Sequence, residues 1–525
     1  MKPGDRPPLW FWLIPTVVAG LRMLPRISLG WAPAPEGKTF LGVSYLPKDF
    51  LQYAAFIRQA AEDGSFFFYD PFTTDPQSSR FVLLFHWLVG VVARIGAFSA
   101  IDALEWSRVP LAFAFFATLW WFLRPFLPDR KDRLAAALLV SFASGIDAWL
   151  RPLAPQLPGD FGDRFLQDSS GLHGWSVFAS FYNPLWTAAL SAALLVLRPL
   201  LVGGEKSLRQ LALTSAGLLF LYGIHPYAAI GVLGIVAVQP VVTLLAGARP
   251  DWRRHFADAA ALGSALLVIG ALNLWQLQDP VYRASAGGIF GPQNLSVLWY
   301  PITLGLLGWM GAVGARRSIA AQHPHRLAIF GWILAVAVLH WLPILNGYKF
   351  VFLLPLPVCI LAAPVAREVL GRMRGPRARD RWLALGAGIA LFGGVVFQTL
   401  EDVRSTRAVS ATPSDLMSVV QTLSELPAGN ALVPSGVGNV LPAFSPHRVW
   451  VGHWFLTPDY YERHETFRRL ISNRSAAPQL REIVHEQQIR YLVVPSARYE
   501  LVVEALGPAV SERLPHGELE LLVLR

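Results

Sequence analysis

The run Phe81–Ala97, FVLLFHWLVGVVARIGA, decides the topology of the chain. It is apolar enough to be taken for a membrane span, and a span here would invert every segment after it. The basic residues arbitrate, because cationic loops flanking spans stay on the cytoplasmic side. Arg124, Arg130, Lys131 and Arg133 form one cluster, followed by Lys206 with Arg209, Arg249 with Arg253 and Arg254, and Arg316 with Arg317 and Arg326. The last cluster is Arg372, Arg374, Arg377, Arg379 and Arg381. With Phe81–Ala97 left out of the count, all of them share one face with Lys2 and Arg6; counted in, they lie outside. The run therefore reads as a helix lying at, or dipping into, the outer surface. The first external loop is then long, 26–103, and its aromatic and apolar content argues against disorder.

Composition supports this from the other direction. Of 525 residues, 54% are hydrophobic and 15% charged, against about 25% charged in soluble domains. Mean hydropathy is +0.41. A water-soluble globular protein is excluded on these grounds, and an integral membrane protein is expected. A span needs roughly 20 apolar residues. About eleven such segments begin near Pro8, Leu104, Leu134, Ser176, Leu211, Ala228, Asp258, Val297, Leu327, Phe350 and Trp382.

The expected fold is a membrane all-α domain over 1–400 with about eleven transmembrane helices, followed by a small soluble α/β domain over 401–525. A second external loop covers 150–175. The N-terminus is cytoplasmic and the C-terminal domain extracytoplasmic. Ala32-Pro33-Ala34 mimics a cleavage site, but Pro35 after it and Arg22 and Arg26 before it mark an uncleaved first span. Abundant Ala, Leu, Gly and Pro, with Arg outnumbering Lys, fit a bacterium of GC-rich genome and hence its cytoplasmic membrane.

The single cysteine, Cys359, excludes a disulfide framework, CxxC redox chemistry and a Cys-based zinc site. The net charge of +10 does not indicate nucleic acid, because the basic residues are spread over span-flanking loops. In the C-terminal part, Ala431–Pro434, Arg448–Gly452 and Arg490–Pro495 read as buried strands. Glu518–Leu524 reads as an edge strand, and Thr466–Ser472 and Gln479–Gln487 as helices.

Candidate chemistry lies in the external loops. A helix begins near Asp49 and runs to about Ala61, with Phe50, Tyr53, Ala54, Ile57 and Ala61 forming an apolar stripe suited to resting on the membrane. Asp49, Gln52 and Gln59 project to another face, which puts the Asp49 carboxylate at the level of a lipid head group. Asp49 with Gln52 is equally a helix capping box, and the two roles are compatible. Asp70 and Asp75 each precede proline and read as turn formers. The second loop carries Asp160, Asp163 and Asp168, then His173. These are either solvated loop acids or the source of a second carboxylate for acid–base chemistry or a divalent cation. At outer span ends stand His225-Pro226-Tyr227, Arg283 and Lys349. Lys349 is an isolated cation that can snorkel to the interface or grip a phosphate.

Three segments, DFLQYAAFIRQAAEDGSFFFYDPFTTDP (Asp49–Pro76), HPY at His225 and PHRVWVGHW (Pro446–Trp454), together with the architecture, resemble the C-type (GT-C) membrane glycosyltransferases. The likeness is nearest to bacterial multi-pass proteins of that type. It implies a sugar donor on a polyprenyl phosphate, an acceptor that is a glycan, a lipid or a protein, and reaction on the outer face with inversion. The family's first-loop acid maps onto Asp49 as general base, and a second acid onto Asp160, Asp163 or Asp168. Tyr53, His173, His225, Arg283 and Lys349 are the implied substrate-binding residues. The chain lacks the adjacent Asp-Glu pair of protein mannosyltransferases and the WWD pattern of oligosaccharyltransferases, which sets it apart from both. The alternative readings are a non-enzymatic transporter or flippase, and an inactive GT-C-like scaffold. Transporters carry internal repeats and midplane polar residues, and neither is evident here.

Overall fold

The computed structural model describes residues 6–143, 178, 181–204, 206–287, 299–321, 323–342, 347–374 and 377–525. The chain forms two compact units. The first comprises Met1–Leu24, Ser107–Ala271 and Phe290–Asp402; the second comprises Pro25–Trp106, Leu272–Ile289 and Val403–Arg525.

The first unit is helical. Among the described residues of the whole chain, six helices are long and apolar enough to cross a membrane. They are Ala100–Leu123, Pro184–Leu201, Pro226–Leu245, Trp252–Gln276, Lys349–Gly371 and Ala378–Val409. Each coincides with one of the segments expected from sequence. Helices also occupy Leu208–Ile224, Trp299–Ala320 and Pro324–Trp341. Helix Pro355–Gly371 is the most enclosed, with Leu356, Cys359, Leu361 and Ala363 buried. Helix Trp299–Ala320 packs on it through glycine: a Cβ on Gly314 would lie 1.9 Å from the Leu361 carbonyl oxygen. Where lipid supplies no hydrophobic drive between helices, this close approach of small residues holds them together. A buried ion pair, Arg22 Nη1 to Asp402 Oδ2 at 2.5 Å, ties the first helix to the last span.

In the second unit, helix Pro47–Asp63 lies at the centre. Short strands flank it: β1 (Lys38–Phe40), β2 (Phe67–Phe68), β3 (Phe81–Val82) and β4 (Ala411–Pro413), paired β1 with β4 and β2 with β3, both antiparallel. The run that decides the topology folds as β3 and then helix Leu84–Gly96. Its 13 residues reach about 20 Å, short of the roughly 30 Å hydrocarbon core.

The C-terminal segment builds a five-stranded sheet in the order β6-β5-β7-β9-β8. Here β5 is Asn430–Leu432, β6 Arg448–Val449, β7 Ile489–Pro495, β8 Val510–His516 and β9 Leu519–Leu524. β5 runs parallel to β6 and β7, and β9 antiparallel to β7 and β8. The expectation for Glu518–Leu524 needs correction: β9 lies inside the sheet, and β8 and β6 are its edges. VSERLPH is too polar to read as a strand, and its exposure and proline suit an edge.

Candidate functional site

Asp49 sits in the first turn of helix Pro47–Asp63. Pro47 opens the helix, where a missing N–H is harmless. Leu46 is the N-cap, and no side chain caps the end, so the expected capping box of Asp49 with Gln52 does not form. The reason is the proline, which starts the helix two residues before Asp49. The carboxylate is left unused by the backbone at a helix end that favours negative charge. The preceding residues are fixed: Ser44 donates to the buried Glu105 from its N–H at 3.0 Å and from its hydroxyl at 2.6 Å.

The stripe expected to rest on the membrane is instead core. Phe50, Ala54 and Ile57 are buried, and the helix packs on Leu84–Gly96, Ala100–Trp106 and Ser435–Phe444. Periodicity reports an apolar face without saying what covers it. Gln59 is likewise buried, donating to the Tyr69 carbonyl at 3.1 Å.

Facing Asp49 is a residue that the sequence reading did not single out. His453 Nε2 lies 3.8 Å from Asp49 Oδ1; the histidine side chain is 2% exposed and the aspartate 42%. Nδ1 of His453 accepts the Phe455 N–H at 3.4 Å. That places the ring proton on Nε2, the nitrogen turned to Asp49. The Phe72 ring lies 5.7 Å from the imidazole. The carbonyl of His453 accepts the N–H groups of Leu456 and Thr457 at 3.1 and 2.9 Å. The Thr457 hydroxyl in turn donates to the Phe72 carbonyl at 2.7 Å. Only glycine fits at 438, since a Cβ there would stand 2.0 Å from the Val451 carbonyl oxygen, just before the turn that delivers His453. His453 belongs to the PHRVWVGHW run, and that membership was the one signal in the sequence. Trp454 beside it is half exposed.

Asp70 and Asp75 form turns, as their X-Pro context predicts. Asp70 is fully buried and its Oδ1 accepts the Phe72 N–H at 2.8 Å. Burial pushes its pKa up to about 8, so it carries a proton at neutral pH. Asp75 Oδ2 pairs with Arg463 at 2.5 Å. Arg448 donates to the carbonyls of Thr73 and Asp75, and the Val449 N–H donates to the Pro71 carbonyl at 3.0 Å. This turn thus clamps the edge of the C-terminal sheet.

Tyr53 packs edge-on to His86 at 5.1 Å. His86 is buried, without hydrogen-bond partners for its ring nitrogens among the described residues, and burial pushes its pKa down to about 3, so it is neutral. Arg283 donates from Nε to the Leu277 carbonyl at 3.0 Å. In the first unit, His225 caps helix Pro226–Leu245, its Nδ1 accepting the Ala228 N–H at 3.2 Å. Lys349 is not isolated: its ammonium lies 5.0 Å from the centre of the Tyr227 ring, a cation–π contact. The structure thereby joins the HPY motif to Lys349. Asp160, Asp163, Asp168 and His173 lie outside the described residues. Among the described residues, no three His, Cys, Asp or Glu side chains converge as a metal site would require.

No protein-family model matches the sequence, and no curated protein is similar to it. Solved structures share its fold. ArnT from Cupriavidus metallidurans aligns with a TM-score of 0.51 at 14% identity, over 98% of this chain and 97% of that one. The arabinofuranosyltransferase AftD from Mycobacteria aligns with a TM-score of 0.52 at 15% identity, over 98% of this chain and 41% of that one. The oligosaccharyltransferase AglB from Archaeoglobus fulgidus aligns with a TM-score of 0.46 at 14% identity, over 94% and 71%. The chain thus shares the fold of ArnT and AftD.

Proposed function

We propose that the chain is a membrane glycosyltransferase that moves a sugar from a polyprenyl-phosphate donor to an acceptor on the extracytoplasmic face. The observation that carries this reading is Asp49: a half-exposed carboxylate on a helix otherwise locked into the core, beside a buried imidazole. The fold shared with ArnT and AftD supports it. In the reaction, the acceptor hydroxyl oxygen attacks the anomeric carbon as Asp49 takes its proton. The bond from that carbon to the phosphate oxygen breaks, polyprenyl phosphate leaves, and the single displacement inverts the centre. The leaving phosphate is a stable anion that needs charge stabilisation more than a proton, and Lys349, with Arg283, is assigned that task. A second acid from Asp160, Asp163 or Asp168, with a divalent cation if two carboxylates meet, belongs to the same reading. The arginine clusters put the C-terminal sheet outside.

The test is sugar transfer by the purified protein in lipid nanodiscs from polyprenyl-phosphate-linked pentoses and hexoses. Asp49→Asn is expected to lower kcat by about 10²–10⁴-fold while leaving the thermal unfolding midpoint unchanged. A fully active Asn variant removes Asp49 as base.

A further inference from the structure

We infer that His453 is a positioning residue for Asp49: its Nε2–H holds Oδ1, so that Oδ2 is turned to the acceptor. This rests on the assignment of Asp49 as base, and it brings the C-terminal segment into the reaction.

The imidazole is held at its ring face and at Nδ1. Phe72 packs against its ring, the Phe455 N–H occupies Nδ1, and the turn that follows is pinned through its own carbonyl and through Thr457. With Nδ1 used as an acceptor, Nε2 carries hydrogen and is a donor only. That nitrogen is buried and has no hydrogen-bond partner among the described residues. Buried donors in native proteins are almost always paired, and the carboxylate oxygen facing this one is Asp49 Oδ1 at 3.8 Å.

The gap is longer than a hydrogen bond, and a shift of about 1 Å closes it. Asp49 is the partner able to move, being the exposed one of the two. Catalytic contacts are commonly long without substrate and tighten when it binds. A carboxylate without such a donor samples several rotamers, only some of which aim a lone pair at the acceptor. His453 selects one. It neither gains nor loses a proton: the acceptor's proton goes to Asp49 Oδ2 and from there to solvent or to the departing polyprenyl phosphate.

The full-length protein in nanodiscs is assayed with the polyprenyl-phosphate-linked sugar that the wild type accepts. His453→Phe keeps the ring contact with Phe72 and loses the donor. It is expected to lower kcat by about 10²-fold, with donor KM changed by less than about twofold. His453→Gln, whose amide nitrogen reaches the Nε2 position, is expected to recover most of that loss. His453→Asn, whose shorter amide reaches only the Nδ1 position, is not. In an Asp49→Asn background, His453→Phe should cost nothing further, as for groups acting as a unit. A wild-type kcat in His453→Phe, equal activity of the Gln and Asn variants, or losses that multiply with Asp49→Asn each overturn the inference. The outcomes separate the two claims: a dead Asp49→Asn beside an active His453→Phe removes only the positioning role. A wild type that transfers to no acceptor, or an active Asp49→Asn, removes the reading beneath it as well.

Discussion

Asp70 shows how far a single residue departs from what its local sequence announces. Asp-Pro reads as a turn, and it is one, but nothing local indicates that the carboxyl is fully buried. Its pKa is raised by burial from 3.8 to about 8. Between those values the folded chain holds a proton that the unfolded chain has released, so stability falls as pH rises through that window and levels off above it. Asp70→Asn keeps an oxygen for the Phe72 N–H and removes the titration. Its stability relative to wild type should therefore grow from pH 5 to pH 9, as read from thermal unfolding of the detergent-purified proteins. Parallel pH profiles would show that Asp70 does not titrate as stated. Asp49 was legible because an acid opening a surface-loop helix is a local pattern. His453 was not, since its partner lies some four hundred residues away and only packing brings them together.

At the scale of elements, helix Pro47–Asp63, which carries Asp49, packs on helix Leu84–Gly96, and the two meet at Gly90. A Cβ there would lie 2.4 Å from Ala60 Cβ and 2.8 Å from the Ile57 carbonyl oxygen. Neither atom can swing aside, so the helices must separate. Gly90→Ala is expected to cost about 1–3 kcal/mol, measured as a lowered unfolding midpoint, with transfer falling alongside; an unchanged midpoint would refute this contact. Both helices were legible from their apolar runs. The cover over the 47–63 stripe was not, because the same periodicity serves a membrane surface or a protein core. The sheet repeats the lesson. Strands β5, β6 and β7 stand where apolar runs announced them, whereas β8, polar and proline-bearing, has no such signature. The place of β9 inside the sheet depends on β8 pairing with it.

For the whole molecule, orientation is the property to test, and the chain suits the experiment: its only cysteine, Cys359, is buried. Ser511→Cys, exposed on β8, is expected to react with a membrane-impermeant maleimide added to intact cells. Arg209→Cys, exposed in the first turn of helix Leu208–Ile224, should react only after permeabilisation. The reverse pattern would turn the molecule over and place Asp49 away from any outer-face donor. The sequence by itself determined the membrane character, the positions of the six long apolar helices among the described residues, the reading of Phe81–Ala97 as no simple span and the candidacy of Asp49. All of these follow from hydropathy, charge and periodicity within a window of about twenty residues. Only the tertiary structure decided that His453 faces Asp49, that Lys349 rests on Tyr227 and that the 47–63 stripe is core. Those are meetings of residues far apart in the chain, chosen by how whole elements pack, and no local pattern encodes them.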